Sequence, residues 1–443
     1  MNAPRILTVA LLATALASSM TPARSAAPAT ADDTARFLAG LAPAPDSPLT
    51  ALSKGASWEQ HARYFDGIFG KEEAATLSKV RAFSQAQLNE KHDTMLYLFS
   101  GPDFLYATSF FPNASTYVLA GLEPVGDIPQ LTALPRPAVE RTLRNLEVSL
   151  NSILNISFFI TKNMRTQLQA GPVYGTLPVL YVFLARTGKT IHQVSLGSLA
   201  EDGSFEAASE PGEKSTAKSA VNAAKGVKIV FSDHDGPKQT LYYFSTNLAN
   251  DGVRRSGFLT FCDKLGPADS FIKSASYLLH GGGFSKVRDF LLDHSATILQ
   301  DDSGIPLAYF DPKKWRLQPF GRYAGPISIF GHAYQSQMAN LFHKSSIPID
   351  FGLGYRWRKN ESNLLLAQRI APATSDAAAP GTSDAALTSH LPTDQYPRGT
   401  EARSPHGAGA AGGSTSHRKR AQRGSNRSWG CRTSGVFPFC SSY

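Results

Sequence analysis

Two adjacent aspartates are the residues of this chain best placed to carry chemistry. Asp301 and Asp302 follow the apolar segment 297–299 and lie in the sequence Gln-Asp-Asp-Ser-Gly-Ile-Pro, residues 300–306. Neighbouring carboxylates repel each other, which raises the pKa of one of them and suits it to proton transfer or to binding a cation. The same letters are also typical of a tight turn, which is the commoner use of such a sequence.

A second polar group is predicted at the ends of two further strands. It comprises Ser100, Gly101, Asp103, Gly121 and Glu123. Open α/β sheets bind ligands beyond the carboxyl ends of their strands, so these residues are candidates for a ligand site. The pattern is similar to the opening of nucleotide- and S-adenosylmethionine-binding domains, but it has a single glycine, and Pro102 removes a donor N–H. A role in the fold alone is the favoured alternative.

The third candidate is His280, which precedes three glycines at 281–283. His-Gly-Gly-Gly resembles the oxyanion loop of lipases and esterases, in which backbone N–H groups face a developing negative charge. Those enzymes also carry a Gly-X-Ser-X-Gly segment further along the chain, and it is missing after residue 283. The plainer interpretation is a helix that ends at the glycines.

Together these motifs predict one site, which serves either catalysis or ligand binding. The candidate catalytic residues are Asp103, His280, Asp301 and Asp302. The candidate ligand-binding residues are Ser100, Gly101, Glu123, Gln300 and Ser303. No metal site and no particular cofactor is predicted, because the acidic sequence at 233–236 lacks the further ligands of a calcium loop and is typical of a turn.

The element that positions the early residues is a strand–helix–strand unit. Apolar residues at 95–100 and 116–120 flank a short helical stretch at 104–111. Such a unit implies parallel strands and a right-handed crossover. Segments 227–231 and 239–244 are separated by a polar turn and predict a hairpin.

Further elements follow from the apolar spacing. A long helix is expected from Pro137 to Ile160, and helices are predicted at 268–279, 285–292 and 333–342. An apolar segment at 177–185, a strand at 191–196, a surface loop at 201–219 and a final alternating strand at 349–357 complete the list. The alternation of strands and helices predicts an α/β fold with a mixed, largely parallel sheet flanked by helices.

Four regions are predicted along the chain. Residues 1–26 are typical of a signal peptide, because Arg5 precedes an apolar run at 6–17 that is too short to span a bilayer. Residues 27–57, rich in Ala and Pro, predict a flexible leader with one short helix near 35–41. A single main domain at 58–370 precedes a disordered, low-complexity basic tail at 371–443.

Charge and cysteine content exclude two classes of protein. The chain carries 44 Lys and Arg against 35 Asp and Glu, a net charge of +9. The tail holds +4 of this excess and the first 26 residues hold +2, so the body keeps only +3 and no nucleic-acid partner is expected. Cys262 is the only cysteine of the body, so no disulfide framework holds it.

Five segments of the body resemble a family of uncharacterised exported bacterial proteins. They are Phe-Ser-Gly-Pro-Asp-Phe-Leu-Tyr at 99–106, Phe-Phe-Pro-Asn-Ala at 110–114, Tyr-Val-Leu-Ala-Gly-Leu-Glu-Pro-Val-Gly at 117–126, Lys-Ser-Ala-Ser-Tyr-Leu-Leu-His at 273–280 and the segment at 300–306. That family has no assigned activity, so the resemblance implies a single folded unit and no catalytic residue.

The leading hypothesis is a soluble periplasmic or secreted α/β protein that binds a small ligand or an envelope protein, with no membrane span after signal cleavage. The alternative is a periplasmic enzyme, either a hydrolase or a Rossmann-like transferase, that uses Asp103, His280, Asp301 and Asp302. A structural component of the cell envelope is the third possibility, for which the aromatic segment 349–357 is the only indication.

Overall fold

The computed structural model describes residues 28–88, 92–159, 171, 173–208 and 223–370. The predicted signal peptide, the predicted tail and much of the loop at 201–219 lie outside these residues. Within the described part of the chain, no helix is both long and apolar enough to cross a membrane.

Ten strands among the described residues form one mixed sheet. In chain order they are β1 Thr94–Tyr97, β2 Thr116–Gly121, β3 Lys189–Leu199, β4 Phe205–Ala207, β5 Lys225–Asp233, β6 Lys238–Ser245, β7 Ala268–Ile272, β8 Ser295–Gln300, β9 Trp315–Gly321 and β10 Asn363–Arg369. Across the sheet their order is β4-β3-β5-β6-β2-β1-β7-β8-β10-β9. The central strands β6, β2, β1, β7 and β8 are parallel, and antiparallel strands extend the sheet on both sides. The prediction of an α/β fold with a mixed sheet and a parallel core is confirmed.

Helices cover both faces of this sheet. They are α1 Ala31–Leu38, α2 Thr50–Ser53, α3 Ala56–Glu72, α4 Ser78–Gln87, α5 Phe104–Phe110, α6 Arg136–Ile156, α7 Leu177–Arg186, α8 Asn250–Val253, α9 Phe258–Lys264, α10 Ser285–His294 and α11 Ser336–Ser345. Met95 and Tyr97 of β1 pack with α1 and α3 to α7, whereas Leu96 packs on the opposite face with α8 to α10. Side chains alternate along a strand, so the central strands are apolar on both faces and form the core of one main domain.

The strand–helix–strand unit is confirmed as β1, α5 and β2, with Met95 opposite Tyr117 in a parallel pair. Asp103 begins α5, because its carboxylate accepts a hydrogen bond from the N–H of Tyr106 at 3.2 Å. The hairpin is also confirmed, since β5 and β6 are antiparallel and the polar sequence between them is their turn.

The predicted helix at 268–279 is wrong in its first half. Ala268–Ile272 is β7, which pairs with β1 on one side and β8 on the other, and irregular chain follows it up to a short 3-10 turn at Leu278–His280. Every residue of β7 is buried. Polar and apolar residues do not alternate along β7, where the buried Asp269 and Ser270 are adjacent, so periodicity cannot separate this strand from a buried helix.

The predicted strand at 349–357 is also wrong, because the last strand of the described chain is β10. Residues 349–357 are irregular, with one isolated bridge between Leu353 and Arg356. A Cβ on Gly352 would overlap the carbonyl of Trp357, so the chain doubles back here too tightly for an extended strand.

Residues 28–57 are part of the packed domain and not a flexible leader. Phe37 and Leu38 of α1 are fully buried, and the N–H of Ile191 on β3 donates to Asp32 at 2.8 Å. The indole N–H of Trp58 donates to the carbonyl of Phe37 at 2.9 Å. The short helix predicted near 35–41 is present as α1, and its apolar face supplies the burial that the Ala- and Pro-rich composition did not indicate.

Candidate functional site

The site lies where the chain changes direction across the sheet. From β1 the chain proceeds to β2 on one side, and from β7 it proceeds to β8 on the other, although β1 and β7 are neighbours. Loops that leave neighbouring parallel strands in opposite directions leave a crevice at the carboxyl ends of those strands. Asp103 follows β1 and Lys273 directly follows β7, so the two side chains meet at this crevice.

Asp103 and Lys273 form a buried ion pair. Lys273 Nζ lies 2.8 Å from Asp103 Oδ2, and each side chain is 2% exposed. The ammonium group also donates to the carbonyl of Ser157 at 2.5 Å and lies 3.7 Å from the centre of the Tyr106 ring. Burial lowers the pKa of Lys273, and the charge of Asp103 opposes that shift. Each charge therefore depends on the other for compensation.

Two tyrosines and a glutamate surround this pair. Tyr97 donates to Asp103 Oδ2 at 2.8 Å, and Tyr106 donates to Glu72 Oε1 at 2.6 Å. Burial raises the pKa of both tyrosines well above the usual range and also raises the pKa of Glu72. These hydroxyls therefore act as fixed donors that hold Asp103 and the first turn of α5 in place.

Asp301 lies at the end of β8 and faces the loop that follows β7. Its Oδ2 accepts from the N–H of Ser274 at 2.8 Å, and its Oδ1 accepts from both the N–H and the hydroxyl of Ser303. Burial, with a smaller effect from the neighbouring charge of Asp302, raises the pKa of Asp301 to about 7. Asp301 therefore gains and loses a proton close to neutral pH.

Asp302 makes a different set of contacts. Tyr277 donates to its Oδ2 at 2.8 Å, while the Asn363 amide accepts from its backbone N–H at 2.8 Å and donates to Oδ1 at 3.3 Å. Burial raises the pKa of this carboxyl as well. The tight turn is present too, because the N–H of Gly304 donates to the carbonyl of Asp301 at 3.2 Å. The turn thus positions the two carboxylates and does not exclude a function for them.

The loop after β7 holds three residues in the left-handed region. Ser274, Ser276 and Tyr277 have φ values of 52°, 52° and 55°. Residues other than glycine rarely adopt this conformation, and they do so mainly where the surrounding structure enforces it at functional sites. Two of these residues, Ser274 and Tyr277, donate directly to the carboxylates of Asp301 and Asp302.

His280 lies beside Tyr277 at the Asp302 end of the site. Its ring centre is 5.2 Å from that of Tyr277, which donates to Asp302, and its buried Nε2 has no hydrogen-bond partner. Burial lowers the pKa of His280 to about 4, so the ring is neutral at neutral pH. The structure thus places His280 and the three predicted aspartates along the same edge of the sheet, with Lys273 and Tyr277 between them.

The predicted ligand-binding residues divide into two groups. Glu123 packs against Gly101 and Gly121 and receives a hydrogen bond from Tyr243 on its carbonyl at 2.8 Å, which places it on the β2–β6 side of the crevice. Ser100 is buried there and donates to the carbonyl of Gly101 at 2.7 Å. Ser100 and Gly101 follow β1 and Glu123 follows β2, so β7 lies between this group and Asp301, which follows β8.

Gln300 and Ser303 stabilise the turn that carries the two aspartates. Both polar atoms of the Gln300 side chain pair with the backbone of Ile305 at 2.8 Å, so this amide shapes the turn and does not face the crevice. The hydroxyl of Ser303 donates to Asp301 and accepts from the N–H of Ala275 at 2.7 Å. The Gln300 amide thus holds the loop, and its assignment to ligand binding stays a prediction.

Sequence reasoning missed Lys273, Tyr277 and Asn363. The available signal was a lone lysine after the apolar residues of β7, and it lies within the segment 268–279 that was predicted to be a helix. Among the described residues no group of three or more His, Cys, Asp or Glu side chains is arranged to hold a metal ion. Comparison of the chain with protein-family models, curated proteins and solved structures gives no match.

Replacing Tyr277 with Phe tests the hydrogen bond between Tyr277 and Asp302. We expect Tyr277→Phe to lower the free energy of unfolding by about 1.5–3 kcal/mol, because a buried carboxylate loses its hydroxyl donor. Urea unfolding at pH 8 measures the change. Tyr174→Phe is the matched control, since Tyr174 donates to the exposed Asp127 at 2.9 Å, and we expect little change there. Equal effects in the two variants would contradict the assignment of Tyr277 as a buried donor to Asp302.

Proposed function

We propose that this protein binds a small polar ligand in the crevice at the carboxyl ends of β1, β7 and β8. The observation that carries the proposal is the position of Asp301, Asp302 and the Asp103–Lys273 pair at the point where the strand connections diverge. In open α/β sheets this is the usual position of a ligand site. A carboxylate pair accepts hydrogen bonds, so the ligand is expected to carry hydroxyl, ammonium or other donor groups.

The energetic cost of the arrangement supports a ligand site. Buried carboxylates are costly to keep, and replacing a buried ion pair by apolar residues is often neutral or stabilising. Left-handed backbone at Ser274, Ser276 and Tyr277 adds a further cost. The buried charges and the left-handed residues lie together at one edge of the sheet, as they do in functional sites.

A general acid–base enzyme is the second candidate, and the pKa of Asp301 favours it. A carboxyl group with a pKa of about 7 has both protonation states available at neutral pH, which is what proton transfer requires. The His-Gly-Gly-Gly sequence adds little to this candidate. Gly281–Gly283 are exposed residues in the 3-10 turns before α10, and the Asn250 amide donates to the Gly282 carbonyl at 2.9 Å.

The turn between β1 and α5 does not favour a Rossmann-like transferase. The N–H of Gly101 donates to the carbonyl of Ala120 at 3.1 Å, and the N–H of Tyr106 is occupied by Asp103. Phosphate-binding turns leave such N–H groups to the ligand. These two donors are thus used within the protein.

Export to the periplasm or the medium is part of the proposal, and an envelope protein is the proposed macromolecular partner. It is supported by Arg5 and the apolar run at 6–17 in the sequence. Intact-mass measurement of the protein from its natural host tests it. A mass that retains residues 1–26 would contradict export by a cleaved signal.

The ligand proposal is tested by thermal shift with a panel of polyols, amines and amino acids. We expect at least one compound to raise the melting temperature of the wild-type protein and to lose most of that effect in Asp302→Asn. Asp251→Asn is the matched control, because the Asp251 side chain is 93% exposed and lies on α8. A panel without any shift, or a shift that Asp302→Asn retains in full, would count against the proposed site.

A further inference from the structure

A short loop closes over Asp301. We call residues 354–360 the cover loop; it begins at Gly354 and leads towards β10. A Cβ on Gly354 would overlap Asp301 Oδ2 and lie 3.3 Å from Ser274 Oγ, and the φ of Gly354 is +63°. Only glycine therefore allows the backbone to lie directly on this carboxylate.

The cover loop is held to the site by polar and aromatic contacts. Tyr355 donates to the carbonyl of Ser274 at 3.0 Å, and its hydroxyl lies 3.0 Å from that of Ser276. The ring of Tyr355 stacks on that of Tyr277 with 6.3 Å between the centres. The Arg356 guanidinium donates to two backbone carbonyls of the loop at 325–326, at 2.9 and 2.8 Å. Tyr355 also packs against Phe158 and Phe330, with 4.9 and 5.4 Å between the ring centres, so side chains of neighbouring loops and not a strand ladder hold the cover loop.

Both ends of the cover loop are fixed, its first half lies against the site, and its second half is open to solvent. Phe351 and Leu353 pack in the core before the loop, and Ser362 and Asn363 are fully or almost fully buried after it. Residues 357–360 are exposed. A span of this kind can lift without disturbing its anchors, because it contributes no strand to the sheet.

We infer that the cover loop is a lid, which opens to admit a ligand to Asp301 and Asp302 and closes over it. The inference rests on the proposed ligand site and adds the way in which that site is reached. In the closed form the Gly354 backbone covers Asp301, so a ligand has no direct path from the cover-loop side. Gly354 has a left-handed backbone conformation, and so do Ser157 and Ser274, which lie next to it. Such residues are frequent in segments that change conformation.

Carbodiimide labelling of the full chain tests the lid without any ligand. Glycine ethyl ester with a water-soluble carbodiimide marks exposed carboxyl groups, and mass spectrometry of peptides measures the labelling rate at Asp301. We expect Gly354→Ala to raise this rate at least about fivefold, because the added methyl group prevents closure. Asp251, which is 93% exposed, is the reference carboxyl in every sample.

Gly331→Ala is the matched control, because no atom lies within 4 Å of a Cβ at Gly331 and its φ is not left-handed. We expect wild-type labelling of Asp301 in this control. Tyr355→Phe provides a second test in case Gly354→Ala does not fold; it removes two hydrogen-bond contacts of the loop and is expected to raise the rate by a smaller factor.

Hydrogen exchange in the same variants distinguishes a lid that opens by itself from a loop that opens only when the core unfolds. Faster exchange confined to the cover loop and the loop after β7 supports the lid. Unchanged labelling of Asp301, or exchange that rises equally in β1, β7 and β8, would overturn it. Because no ligand takes part, these outcomes are independent of the thermal-shift result: a mobile lid with no ligand found would count against the proposed function alone.

Discussion

Lys273→Met is expected to lower the free energy of unfolding by about 3–5 kcal/mol, because it leaves the buried carboxylate of Asp103 without its counter-charge. Guanidinium unfolding at pH 7 measures the loss. Lys79→Met is the matched control, since Lys79 pairs with Asp350 at 2.9 Å on the surface, where both side chains are at least 37% exposed. We expect that variant to lose less than about 1 kcal/mol.

The double variant Lys273→Met with Asp103→Asn completes the test. Asparagine begins helices as well as aspartate does, so it keeps the start of α5 while it removes the charge. We expect the double variant to recover much of the stability lost in Lys273→Met. A double variant that is as unstable as the single one would show that packing of the lysine stem, and not charge, dominates at this position.

The second large effect is a loss of stability as pH rises. The pKa of Asp301 is about 7 in the folded chain against an ordinary value of 3.8, so the folded state binds a proton that the unfolded state releases between these two values. The contribution of Asp301 to stability is therefore greatest below pH 4 and falls until pH 7, by about 4 kcal/mol in total. Burial is the main cause, and Asp302 adds to it.

His280 opposes this trend and has to be separated from it. Its pKa falls from 6.5 to about 4 on folding, so the unfolded state binds the extra proton and stability from this group rises between pH 4 and 6.5. The measurement is therefore the difference in unfolding free energy between wild type and Asp301→Asn at pH 5 and pH 8. We expect the variant to gain stability relative to wild type at the higher pH. A difference that does not depend on pH would contradict the raised pKa of Asp301.

The elements that the sequence predicted well are those with strong local signals. The β1–α5–β2 unit and the β5–β6 hairpin have turn residues that separate apolar runs of strand length, and the acidic pair after β8 could be placed at a strand end for that reason. The position of Asp301 and Asp302 at the carboxyl edge of the sheet follows from this placement.

The partners of these aspartates could not be predicted, because they depend on pairing between distant strands. β7 carries no alternation, so Lys273 was placed on a helix, and its contact with Asp103 arises only when β7 inserts beside β1. Asn363 reaches Asp302 from a strand that is 61 residues further along the chain. Local patterns contain no information about such contacts.

The order of the strands also has a consequence for synthesis of the chain. β10 is the last described strand, yet it lies inside the sheet, where it joins β8 to β9 through antiparallel ladders on both sides. A nascent polypeptide that ends before Asn363 exposes the open edge of β8, which is a template for aggregation, and it also lacks the amide that holds Asp302. Translation must therefore pass residue 369 before this half of the molecule is protected, which gives chaperones a defined interval in which to act.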